Sequence, residues 1–200
     1  MRCALIGGVI LFGVIALFSP VVKAQEFAVP EGPSDRLTQQ GRDRAVECGR
    51  IGPECAITPY ELCGSESGPF TVRMVTPFSR VAEAVVEAEA GRKPLGRMGP
   101  AAVNRWGIGL SVYPAQGSVA ADSIRQVFIR KDGQLVQPIG ATVGPITRQA
   151  SDGTTQSMTR GFFAFTASAF DGSSAVTIIL VGSAGETSCT LDRARLGTLR

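Results

Sequence analysis

Four of the five cysteines impose the strongest constraint on the fold of this chain, because they are unevenly distributed along it; the fifth, Cys3, would leave with an amino-terminal export signal and is assigned no role. Three lie close together at Cys48, Cys55 and Cys63, whereas Cys189 stands near the carboxyl end. Four cysteines allow three complete pairings, and in each of them Cys189 is joined to a member of the early group. Full oxidation therefore ties the two ends of the chain together. We favour a Cys63–Cys189 bond, with Cys48 and Cys55 closing a small local loop.

Two other uses of these cysteines compete with disulfide bonds. Free buried thiols behave as small hydrophobic side chains. A structural zinc site usually combines closely spaced cysteine or histidine pairs, and this chain has no short CxxC pair and no histidine. Disulfides are favoured over both alternatives because the chain carries an export signal.

Residues 1–24 have the three zones of a cleavable signal peptide. Arg2 precedes an apolar stretch over residues 3–18, Pro20 interrupts it, and Ala24 suits a peptidase that cuts before Gln25. The alternative is an uncleaved anchor, because the apolar stretch approaches the ~20 residues that span a bilayer. In that case alone the segment would contact a membrane. Export, together with a bias toward arginine that is typical of GC-rich bacterial coding, places the protein in the periplasm or outside the cell.

The remaining residues are within the usual length of one domain. Residues 25–68 contain several prolines and three of the cysteines, which predicts a flexible leader followed by a disulfide-tied, cysteine-rich loop region. One short helix is expected near residues 35–48. Residues 69–200 are predicted to form a mainly β globular domain.

Strand patterns dominate this second part. Phe70, Val72 and Met74 alternate with polar residues, as in a half-buried strand, and similar signals recur from Trp106 onward. Asp-Gly pairs between apolar runs favour tight hairpins; they occur at Asp132-Gly133, Asp152-Gly153 and Asp171-Gly172. The pattern predicts an α+β fold, mainly antiparallel β, with a sheet or sandwich built from hairpins in residues 106–183.

One amphipathic helix is predicted near residues 77–91. Thr76 is a suitable N-cap, Pro77 fits the first turn, and Gly91 is a natural stop. Phe78, Val81, Val85 and Ala88 form one apolar stripe, which we expect to pack on the protein's own sheet. Arg80, Glu83 and Glu87 lie on the opposite side, which is typical of a solvated face.

The sequence assigns no catalytic, cofactor-binding or metal-binding residue. Without histidine there is no Ser-His or Cys-His nucleophile pair, and the glycine patterns of phosphate and dinucleotide sites are missing. A Ser-Lys mechanism would require Lys93 or Lys131, and both stand in turn-like surroundings where a desolvated amine is not expected. We therefore expect no enzymatic activity and no cofactor.

Charge gives no sign of a nucleic-acid partner. The full chain has 20 basic and 17 acidic residues, and loss of Arg2 and Lys23 with the signal leaves it nearly neutral, with arginines scattered rather than grouped in a basic patch. The first functional hypothesis is an exported interaction module that binds another envelope or secreted protein. The alternative is a carboxylate-dependent hydrolase acting on a cell-wall or extracellular polymer. A concave pocket with two carboxylates about 5 to 10 Å apart would favour the hydrolase, whereas an apolar patch or an unpaired edge strand would favour the module.

Overall fold

The computed structural model describes residue 34 and residues 36–63, 68–92, 107–115, 123–149 and 153–199. Within them the chain forms nine strands and four α-helices. The helices are α1 (Gln39–Ile51), α2 (Pro53–Ala56), α3 (Pro77–Glu89) and α4 (Arg193–Thr198), with 3-10 turns at Thr58–Tyr60 and Ala167–Phe170. The strands are β1 (Glu61–Cys63), β2 (Phe70–Val75), β3 (Ile108–Pro114), β4 (Ile124–Lys131), β5 (Gln134–Val136), β6 (Gly140–Gln149), β7 (Thr155–Phe165), β8 (Val176–Gly182) and β9 (Gly185–Leu191).

The strands form two antiparallel sheets that pack face to face. The five-stranded sheet has the order β1-β2-β3-β7-β6, and the four-stranded sheet has the order β5-β4-β8-β9. The Phe70 ring of the first sheet lies so close to Gly182 of the second that a Cβ atom there would come within 2.8 Å of it. The Thr159 hydroxyl also donates a hydrogen bond of 3.1 Å to the Ile124 carbonyl. One hydrophobic core draws on both sheets, and the predicted α+β fold with mainly antiparallel strands is confirmed.

The alternation seen in the sequence separates the two faces of the five-stranded sheet. Phe70, Val72 and Met74 of β2 are buried, whereas Thr71 and Arg73 between them are only half-buried. Strand β3 is paired with β2 in a continuous register, so that its buried Ile108, Leu110 and Val112 share the face of the buried β2 residues. We call this the inner face, and the side that carries Thr71 and Arg73 the outer face.

The three Asp-Gly pairs have different roles. Asp132 and Gly133 both have positive φ angles, 50° and 77°, and form the two-residue turn of the β4–β5 hairpin. Gly153, with φ 82°, lies between the paired strands β6 and β7, and Asp152 is outside the described residues. The hairpin prediction is wrong at Asp171-Gly172. That turn connects β7 to β8, which belong to different sheets.

Helix α3 begins as predicted and ends at Glu89. Thr76 and Ser79 form a reciprocal capping box, with hydrogen bonds of 3.1 Å and 2.9 Å. The apolar stripe packs against α1, where a Cβ atom on Gly49 would lie 2.4 Å from the Ala82 carbonyl oxygen. This close approach requires a residue without a side chain at the point of contact.

The amino-terminal segment is more regular than the sequence indicates. Residues 39–63 form two helices, a 3-10 turn and strand β1, and Ala45, Cys48 and Tyr60 belong to the common core. This segment is stabilised by contacts with residues distant in the chain, which a local sequence pattern does not indicate. The guanidinium of Arg195 in α4, for example, donates to the Pro59 carbonyl at 2.7 Å.

The predicted signal peptide, the leader up to residue 33, Lys93 and Trp106 lie outside the described residues. A short carboxyl-terminal helix is expected over residues 191–199, and α4 occupies Arg193–Thr198. In the described part of the chain, no helix is both long and apolar enough to cross a membrane.

Candidate binding surface

Both pairs of cysteines are disulfide-bonded, in the connectivity that the sequence analysis favours. Cys48–Cys55 links α1 to α2 with a Cα–Cα distance of 5.4 Å. Cys63–Cys189 links β1 to β9, 126 positions apart, with a Cα–Cα distance of 6.2 Å. Because β1 and β9 are edge strands of different sheets, the second bond closes one side of the sandwich.

On the opposite side of the sandwich, the described residues form no such closure. There the edges are β5 in the four-stranded sheet and β6 in the five-stranded sheet. Strand β6 is ten residues long, is mostly exposed, and among the described strands pairs only with β7. No described strand covers its outward side, which presents a row of main-chain groups that can pair with another strand. We call this row the β6 edge.

Exposed apolar side chains are concentrated in the segment that runs from β5 into β6. Of the four large hydrophobic residues that are exposed in the described part of the chain, three lie between residues 135 and 143: Leu135, Ile139 and Val143. Ile139 is 71% exposed, far more than a side chain that packs on its own core. A cluster of this kind in the sequence next to an open strand is typical of an interaction surface.

Pro145 indicates which main-chain groups of β6 point outward. Proline has no N–H and is tolerated in an edge strand where its nitrogen faces away from the neighbouring strand. Backbone groups alternate in direction along a strand, so Ala141, Val143 and Thr147 also direct their N–H and C=O groups outward. The even-numbered residues from 142 to 148 then direct their main-chain groups toward β7, with which the whole of β6 is in register.

A recess of about 330 Å³ lies on the outer face next to the β6 edge. It spans three strands, because its described lining comes from β3, β7 and β6. The lining residues are Ser111, Tyr113, Thr142, Gly144, Pro145, Arg160, Gly161 and Phe162. The Phe162 ring covers Gly109, and the Arg80 guanidinium of α3 lies 5.5 Å from the ring centroid. Burial lowers the pKa of Arg80 from its ordinary value.

Tyr113 is held in place by a charged network on the outer face. The Arg73 Nη2 atom donates to the Tyr113 hydroxyl at 3.2 Å and lies 3.0 Å from a Glu83 carboxylate oxygen. Glu83 therefore faces the sheet rather than forming the solvated helix face that the sequence predicts. The Nε atom of Arg73 is buried and has no hydrogen-bond partner among the described residues.

A second depression, of about 480 Å³, adjoins Tyr113 on its other side. Arg148 contributes to its lining and reaches across the sheet to β3 and the residue after it, where it donates to the Pro114 and Ala115 carbonyls at 3.3 Å and 3.1 Å. Glu61 is the one carboxylate among the described residues that line this second depression. The described lining of the recess beside the β6 edge contains no carboxylate. The described residues contain no group of three or more metal-ligating side chains.

Lys131, one of the two lysines considered for catalysis, is engaged in structural contacts. Its Nζ atom donates to the Ser168 carbonyl at 2.7 Å and to the Asp171 carboxylate at 2.6 Å. The hydrogen bond from Lys131, together with those from Ser173, lowers the pKa of Asp171 to about 2. These contacts fix the crossover between the two sheets.

Comparison of this chain with protein-family models, with curated proteins and with solved structures gives no match.

The sequence pattern does not indicate the β6 edge or Arg160 as functional. Strand β6 contains two glycines and a proline, which disfavour a strand assignment. The one sequence signal for it is the separation of Asp132-Gly133 from Asp152-Gly153, which leaves room for two strands and their connection.

Proposed function

We propose that this protein is an exported, non-catalytic binding module of the cell envelope, which receives an extended segment of another envelope or secreted protein along the β6 edge. The observation that carries the proposal is the outward side of a ten-residue strand, which no other strand in the described ranges covers. In β-strand addition, main-chain hydrogen bonds provide affinity and side-chain pockets provide specificity. The exposed Leu135, Ile139 and Val143 supply additional apolar surface near that edge.

The two disulfides support a location in an oxidising compartment. Such bonds persist in the periplasm and outside the cell but are rare in the reducing cytosol. Together with the predicted signal peptide, they favour a periplasmic or secreted protein.

The lining of the depressions supports binding rather than hydrolysis. A carboxylate-dependent hydrolase needs two acidic groups that flank the scissile bond. Each depression described above has at most one carboxylate among its described lining residues. Lys131, already bonded to Asp171 and Ser168, is not available as a base.

Pro145 favours a different protein over a second copy of this chain as the bound strand. Each missing main-chain hydrogen bond costs about 1 kcal/mol. In a pair of β6 strands both copies bring a proline to the interface, so two donors are missing, whereas a partner segment without proline leaves only one missing. A two-fold pairing centred on β6 would also bring Arg160 of both copies toward each other, since Arg160 is opposite Gly144 at the middle of the strand.

Peptide selection tests this proposal directly. Random nine-residue linear peptides are displayed and selected on the oxidised protein, and the strongest binder is synthesised with a methyl group on each backbone nitrogen in turn. A peptide that adds a strand tolerates methylation at alternate positions only, because every second N–H faces β6. Amide hydrogen exchange should slow at Ala141, Val143 and Thr147 on binding.

Uniform tolerance of methylation, or protection confined to another element, would contradict the proposal. Failure of the selection to enrich any peptide would do the same. The remaining alternative is that a second copy of this chain occupies the edge, and sedimentation of the protein alone tests it. A concentration-dependent dimer that protects the same three amides would identify the second copy as the occupant.

A further inference from the structure

Arg160 is an uncompensated charge at the margin of the open edge. It lies on the outer face of β7, is exposed, and has no hydrogen bond or ion pair among the described residues. It is also the one charged side chain in the described lining of the recess. A guanidinium in this position can form a bidentate pair with a carboxylate.

The hydroxyl of Tyr113 adds a donor to the recess. Arginine has no acceptor atom, so the Tyr113 oxygen accepts the hydrogen bond from Arg73 at 3.2 Å and its own hydrogen remains available. Ser111 and Thr142 contribute two further hydroxyls to the lining. The part of the lining that the structure describes therefore offers a guanidinium and three hydroxyls without a carboxylate, which is a donor set suited to an anionic group.

Gly144 connects the recess to the β6 edge. It lies directly opposite Arg160 in the register of β6 and β7, and a Cβ atom built on it would meet nothing within 4 Å. A residue of an added strand opposite Gly144 would point to the outer face with no intervening side chain. Neighbouring strands are about 4.8 Å apart, so this residue would be two spacings from Arg160. Arg148, which reaches from β6 to the Pro114 carbonyl on β3, shows that an arginine covers such a span in this sheet.

We infer that the segment bound along the β6 edge carries a glutamate or aspartate opposite Gly144, and that its carboxylate enters the recess and pairs with Arg160. This inference rests on the proposed function and names the chemistry of its partner: an extended acidic segment. The β6 backbone supplies the strand pairing, and the recess selects the acidic residue.

The peptides selected on the oxidised protein test this inference. We expect acidic residues to be enriched at one position, and replacement of that residue by its amide, Glu by Gln or Asp by Asn, to weaken binding about tenfold or more, as expected for a charge-assisted hydrogen bond. Arg160→Gln should weaken binding of the acidic peptide equally and leave the amide peptide unaffected. Arg44→Gln, at an exposed arginine on helix α1, is the matched control and should change neither affinity.

Gly144→Val provides a second, independent variant. The open space around Gly144 accommodates the new side chain, so the fold is retained, but the route into the recess is blocked and the preference for the acidic peptide is lost. If the amide twin binds as tightly as the acidic peptide, or if Arg160→Gln acts no more strongly than Arg44→Gln, the inference is overturned. Continued protection of the β6 amides in that case would leave the proposed function standing. Loss of that protection in every peptide complex would overturn both.

Discussion

The disulfide between β1 and β9 should contribute more to stability than the one between α1 and α2. A crosslink removes conformational entropy from the unfolded chain in proportion to the logarithm of the loop it closes. For bonds spanning 126 and 7 positions, this relation gives about 5 and about 2 kcal/mol. We therefore expect Cys63→Ala with Cys189→Ala to lower the free energy of unfolding by about 3 kcal/mol more than Cys48→Ala with Cys55→Ala.

The two double variants are well matched as controls for each other. Each removes one buried cysteine, Cys63 or Cys48, and one partly buried cysteine, Cys189 or Cys55. The loss of side-chain packing is therefore similar, and the difference isolates the length of the closed loop. Equilibrium unfolding in urea without reductant measures both variants. Equal losses, or a larger loss from the Cys48–Cys55 pair, would refute the loop-entropy argument.

Three further predictions concern local contacts and processing. Asp171 has a pKa lowered to about 2 in the folded state. The stability advantage of the wild type over Asp171→Asn should therefore be present at neutral pH and disappear as the pH falls from about 4, the ordinary pKa of aspartate, toward 2. Urea unfolding across this range measures the difference, and a difference that does not change with pH would contradict the assignment. Gly49→Ala should destabilise by about 1 to 3 kcal/mol because the added methyl overlaps the helix α3 backbone. Gly41→Ala in the same helix meets side chains only, at 3.0 Å or more, and should therefore destabilise less than Gly49→Ala in thermal melts. Equal effects would argue against the close α1–α3 contact. Amino-terminal sequencing of exported protein should begin at Gln25, whereas an intact amino terminus that sediments with membranes would identify an anchor.

Local sequence signals were sufficient where one element determines its own conformation. Thr76 and Pro77 define the start of α3, and the alternation from Phe70 to Met74 identifies β2 and its buried face. The turn at Asp132-Gly133 is likewise set by two residues that adopt positive φ angles. None of these assignments requires knowledge of a distant contact.

Other elements exist because of partners far away in the chain. Strand β6 contains Gly140, Gly144 and Pro145, and becomes a strand by pairing along its whole length with β7. Asp171-Gly172 has the same composition as the hairpin turn at Asp132-Gly133, yet it leads into the other sheet because β8 pairs with β4 and β9. Composition identifies a turn, but the choice of neighbouring strand is made by the core.

The two sides of the sandwich are protected from unwanted pairing in different ways. Edges at β1 and β9 are joined by the Cys63–Cys189 bond. On the other side, β5 is only three residues long and β6 contains Pro145, and both short edge strands and prolines reduce edge-to-edge association of identical copies. These features weaken self-pairing while leaving most of the outward amides of β6 available. An edge of this kind is therefore suited to a different strand, whose side chains complement Arg160 and the apolar surface at residues 135–143.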